Sequence, residues 1–164
     1  MWHAESDPER KLWIEARIID DAGILGHYVT DASQPHHTTI HFNGWSSDVP
    51  NPVGYTEDRT FHARFESEFV DAHVSRADVD HLVPAEARSV AGAARGAVLA
   101  YIRETHATVE SLYRLDMDVG FDPGAPPHPR ARDFAAERLA AGASMLAVLW
   151  RSAWEEGRGR PSPA

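Results

Sequence analysis

The chain has 164 residues, and 25 acidic against 16 basic side chains give a formal net charge of −9. That length suits one domain, the absence of cysteine excludes disulfides, thiolate metal sites and cysteine nucleophiles, and the acidic balance argues against nucleic-acid binding by charge alone. No apolar run approaches the roughly 20 residues that cross a bilayer, the densest being Met145–Trp150, and the opening MWHAESDPERK lacks an apolar signal-peptide core.

Ser6-Asp7-Pro8-Glu9 predicts a helix start, with a capping serine or aspartate, proline in the first turn and a glutamate placed for a capping box. Leu12, Ala16, Ile19 and Gly23 recur at three- and four-residue spacing, so this stripe is expected to face inward. The helix can run to about Ala32 and must end near Gln34-Pro35, because proline disfavours helical geometry in the residue before it. Residues 43–60 contain three turn signals and read as an ordered loop. A second helix is expected over Thr60–His73, with Phe61, Phe65 and Phe69 on its apolar side. Pro84 precedes a long helical stretch, Ala85–Leu115, striped by Val98, Ile102, Val109 and Leu112. PGAPPHP breaks the chain at 123–129, and Ala131–Glu156 predicts a last helix carrying Leu139, Leu146, Leu149, Trp150 and Trp154, the tryptophans as core residues. With no convincing strand pair, the expectation is a single all-α bundle of four or five helices over residues 1–157, with a flexible tail at 158–164.

Ten histidines stand out in such a chain, and four fall within Gly26–Phe42, in GHYVTDASQPHHTTIHF. His27 and Asp31 are four apart at a helix end, so both side chains project from one face. Beyond the Pro35 turn, His36 or His37 returns towards that region, and His62 with Glu66 repeats the His-x-x-x-carboxylate spacing. Two such pairs and a bridging histidine form a nitrogen and oxygen donor set that suits zinc better than magnesium or copper(I). His41 is expected in a loop hydrogen bond, His106 in the core, and Asp20-Asp21 on a solvated face. Trp45 and Tyr55 suit either a substrate cleft or packing of the loop.

HYVTDASQPHH and FHARFE resemble the zinc-dependent phospholipase C superfamily, which also contains the single-strand-specific zinc nucleases. The resemblance covers Gly26–Glu66 and implies an α-helical fold holding a zinc cluster. It implies that Asp31 bridges two metals, that His27 binds one of them, and that His37, His62 and Glu66 hold a third. His36 takes a position usually apolar in that family and is expected to be a neighbour, not a ligand. The implied activity is zinc-dependent phosphodiester hydrolysis, on a phospholipid or a single-stranded nucleic acid, with glutamate at 66 favouring the phospholipase branch. The family draws further ligands from a segment upstream of the His-x-x-x-Asp helix, and only 26 residues precede His27, so the chain is expected to correspond to the C-terminal part of such a protein.

Overall fold

The computed structural model describes residues 2–159. The expected flexible tail lies largely outside them, at 160–164. Among the described residues the protein is all-helical, without a named strand, and the nearest approach to one is an isolated bridge between Phe42 and Gly44. After a 3-10 turn at Trp2–Ala4 comes α1 (Pro8–Asp31), then a second 3-10 turn at Pro35–Thr38. Phe61–Ala63, a π-helical stretch Arg64–Phe69 and Val70–His73 run on as one helix, α2. There follow α3 (Arg76–Asp80), α4 (Ala94–His106), α5 (Val109–Asp118) and α6 (Pro129–Gly159).

α1 starts where its cap signals place it: Asp7 accepts from the backbone N–H of Glu9 at 2.9 Å and of Arg10 at 3.5 Å, ahead of Pro8. Its inward face is not the expected one. Leu12 is 65% and Ile19 73% exposed, while Val29 is buried and Ala22 and Gly26 are half-buried. Apolar residues surround most of α1, so more than one stripe satisfied the helical period. The choice falls where α6 can come close: a Cβ at Gly142 would stand 3.0 Å from Ser33 Oγ and 3.4 Å from Thr30 Cα.

α2 carries the main core. A repeat of four overshoots the 3.6-residue turn, so Phe61, Phe65 and Phe69 would drift by roughly 80° on an ordinary α-helix. The wider π turn absorbs that drift, and all three rings are buried against Leu112, Tyr113, Phe121 and Phe134. A second cluster joins Val29, Tyr101, Met145 and Leu149, with Tyr101 OH donating to Val29 O at 2.9 Å.

The expected helix over Ala85–Leu115 is two helices and a loop. Residues 85–93 are non-helical because their backbone donors turn to α6: Val90 N–H donates to Ser152 Oγ at 2.8 Å and Gly92 N–H to Glu156 Oε1 at 2.7 Å. The break after α4 follows from Thr108 Oγ1 donating back to Thr105 O at 2.7 Å, local bonding that competes with the helix. His106 is exposed, not a core residue, and its Nδ1 meets Thr38 O at 2.9 Å. Trp150 and Trp154 are also about half exposed, contrary to expectation; Trp154 packs against Trp2 and His3.

Candidate metal centre

The site is assembled by three backbone devices. Gln34 ends the α1 turn and its side-chain Oε1 accepts from His36 N–H at 3.2 Å, capping the Pro35–Thr38 turn. Pro35 is buried at the first position of that turn, and Thr38 Oγ1 closes it on Pro35 O at 2.8 Å. The turn sends its two histidines in opposite directions: His36 inward, His37 towards α2. On α2, Asn43 Oδ1 from the preceding loop accepts His62 N–H at 3.2 Å, tying the start of the helix to that loop.

His37, His62 and Glu66 converge. One atom from each, two imidazole nitrogens and a carboxylate oxygen, all lie within 4.8 Å of one another. His37 Nε2 lies 3.3 Å from Glu66 Oε2, and His62 Nε2 makes a short contact with the same oxygen. Two donors bound at 2.0–2.1 Å to a tetrahedral ion stand roughly 3.3 Å apart, so the His37–Glu66 spacing already suits zinc. The side chains are a quarter to two-fifths exposed, which leaves an open side for water or a ligand. Buried Gln34 adds a contact behind them, its Nε2 donating to Glu66 Oε2 at 3.5 Å. Outer-shell donors of this sort orient ligating carboxylates.

His27 and Asp31 form a separate pair. His27 Nε2 is 3.4 Å from Asp31 Oδ2 on the exposed end of α1, and among the described residues the pair belongs to no group of three donors. The Pro35 turn therefore brings His37 to His62 and Glu66 and leaves His27 and Asp31 with each other.

His36 is fully buried. Its ring meets Phe61 edge-on at 4.8 Å, His62 at 5.0 Å and Tyr113 at 6.0 Å, and neither nitrogen has a hydrogen-bond partner. Burial, reinforced by the neighbouring imidazoles of His62 and His37, pushes its pKa down to about 3, so the ring is neutral. His41 takes the loop hydrogen bond expected of it, Nδ1 accepting from Ser46 N–H at 3.0 Å, and burial lowers its pKa. Trp45 stacks on His41 with ring centroids 3.7 Å apart, and Tyr55 is buried with its OH donating to Glu110 at 2.9 Å. Packing thus accounts for Tyr55, whereas Trp45 also borders an open cavity of about 710 Å³ with Thr38, His41, His106 and Glu110.

Gln34 and Asn43 were not singled out in the sequence. The signal for Gln34 was present: a polar residue directly before a helix-starting proline is placed to cap it. Asn43 had none, because its partner lies 19 residues on. No protein-family model, curated protein or solved structure matches the chain.

Proposed function

We propose that the protein is a zinc-dependent phosphodiesterase of the phospholipase C-like kind, with His37, His62 and Glu66 as its principal metal ligands. The observation that carries this reading is the convergence of those three donors from two segments 25 residues apart in sequence, His37 and His62, with Glu66 one helical turn further on. Chance places single histidines beside carboxylates often; it seldom adds a third donor held by a capped turn and a buried amide. Three protein ligands with an open side fit catalytic zinc sites, whereas structural sites are closed by four. Zinc held there would supply Lewis acidity towards a phosphoryl oxygen and a water of lowered pKa.

The chain's own residues have distinct tasks in this reading. His37 and His62 present ring nitrogens, Glu66 supplies a carboxylate oxygen, and Gln34 holds Glu66 in register. An ion's charge dominates its immediate surroundings, so the net charge of −9 does not forbid an anionic phosphodiester. His27 and Asp31 would offer a second, weaker position with two protein ligands. The helical fold is proposed to be of the zinc phospholipase C and nuclease type. No described helix is long and apolar enough to cross a membrane.

A second reading, a zinc-binding helical domain without hydrolytic activity, is favoured by the separation of the His27–Asp31 pair from the trio, which leaves one well-made position. Metal analysis of the purified chain followed by a bis(p-nitrophenyl) phosphate assay decides between them. Bound zinc with turnover supports the enzyme, bound zinc without turnover supports the binding domain, and absence of both overturns each. Activity on phosphatidylcholine against single-stranded DNA then separates lipase from nuclease.

A further inference from the structure

His36 stands fully buried beside the metal ligands with both ring nitrogens unpartnered. Burying a polar ring without a partner is costly. An apolar side chain would pack against Phe61, Phe65 and Tyr113 without that cost. The polar side chains around His36 narrow the choice of partner. Tyr113 OH donates to His41 O at 2.6 Å, and the Arg64 guanidinium holds Asp116 at 2.8 Å. His37 turns its Nε2 to Glu66 Oε2. His62 also meets Glu66 through Nε2, and among the described residues no hydrogen bond takes its other ring nitrogen, Nδ1.

The spacing of the two rings agrees. Imidazoles joined by an N–H···N bond of about 2.9 Å have centroids about 5 Å apart, since each nitrogen lies about 1.1 Å from its ring centre. The His36 and His62 rings stand 5.0 Å apart with 37° between their planes. To form the bond the rings need only turn; they need not approach.

We propose that His36 is a positioning residue, accepting a hydrogen bond from Nδ1–H of His62 and so fixing that ligand with its Nε2 towards the metal. The inference rests on the reading of His37, His62 and Glu66 as a metal centre. A histidine that ligates through Nε2 carries its proton on Nδ1, and the acceptor of that N–H sets the tautomer and the ring orientation. Buried His36 supplies such an acceptor where water does not reach. Its remaining N–H is left to the surrounding aromatic faces, which accept weakly. Gln34 supports Glu66 in the same manner, so residues 34–37 deliver one ligand and the supports of the other two.

Nitrogen NMR on the isotope-labelled, zinc-loaded full chain reads the bond directly. A scalar coupling across the hydrogen bond, between His62 Nδ1 and a His36 nitrogen, is expected and should vanish in His36→Leu. Chelator competition at neutral pH should show His36→Leu weakening zinc by about 10–100-fold, with apo stability in EDTA retained. His36→Asn or His36→Gln restores an acceptor, and at least one should recover most of the affinity. A packing role predicts the reverse order, with leucine tolerated and the buried amides worse. That order, or absence of the coupling in a chain that holds zinc through His62, overturns the inference alone. A chain that takes up no zinc, or keeps it tightly in His62→Ala, overturns the metal-centre reading and this inference with it.

Discussion

His37 Nε2 stands 3.3 Å from Glu66 Oε2, across 29 residues of sequence, with no backbone hydrogen bond joining the two segments that carry them. The contact depends on Gln34, whose side chain caps the turn beneath His37 with one atom and reaches Glu66 with the other. One amide thus touches both halves of the site.

Gln34→Ala should therefore weaken zinc binding while all three ligands remain. Loss of an outer-shell partner typically costs 10–100-fold in metal affinity, and a loss in that range is expected here. Competition with a chromophoric chelator measures it; affinity unchanged within about threefold would show that Glu66 is positioned without Gln34.

Pro35 is buried, so Pro35→Ala acts on stability as well as on the turn. Extra freedom in the unfolded chain and a small void together should destabilise by about 1–2 kcal/mol. Zinc affinity should also fall, because the turn no longer presets His37. Denaturant unfolding and zinc titration of the same variant read the two effects separately; full retention of affinity would mean the Gln34 cap suffices alone.

Buried His36 gives the apo protein a specific acid sensitivity. Its pKa is about 3 in the folded protein against 6.5 as the ordinary value. Between these the unfolded chain takes up a proton that the folded one refuses, so stability is complete above about pH 6.5 and is lost as pH falls towards 3. By pH 5 the loss is about 2 kcal/mol. Urea unfolding at pH 7 and pH 5 in the presence of EDTA should show this difference, and His36→Leu should shrink it. An equal pH dependence in the variant would place the sensitivity elsewhere.

Gly44 lies near the start of the 43–60 loop at φ +80°, packed against the end of the same loop, and a Cβ there would lie 2.7 Å from Asp58 O. Neither the conformation nor the space admits a side chain. Gly44→Ala should destabilise by more than about 2 kcal/mol, visible as a lower thermal midpoint. Gly54→Ala serves as the control, being equally left-handed at φ +79° but with open space around it, and should cost less.

What could be read from sequence followed local rules. The Asp7–Pro8 start of α1, the stop at Pro35, the Phe61–Phe65–Phe69 face and the His62–Glu66 spacing each depend on residues within a turn or two of one another. The readings that failed depended on partners elsewhere. The inward side of α1 was decided by the approach of Gly142 on α6, and the loop at 85–93 by Ser152 and Glu156 capturing backbone donors that a helix would have used. Trp150 and Trp154 stay about half exposed while the 85–93 loop docks on Ser152 and Glu156 of the same stretch of α6, a choice of side that no periodicity records. At the site, spacing alone leaves His36 and His37 open, because neighbours in a turn point opposite ways; the resemblance selects His37, the residue that meets His62 and Glu66.

The most direct measurement is isothermal titration of zinc into the chain and three variants, each checked for folding by circular dichroism. One tightly held zinc per chain is expected, with a second site much weaker. His62→Ala or Glu66→Gln should reduce the tight affinity by more than about 100-fold, since two protein ligands seldom hold zinc firmly. His27→Ala should leave the tight site within about threefold of its original affinity and remove the weak one. A folded His27→Ala variant that loses the tight zinc, beside a His62→Ala variant that keeps it, would contradict the assignment of the metal centre to His37, His62 and Glu66.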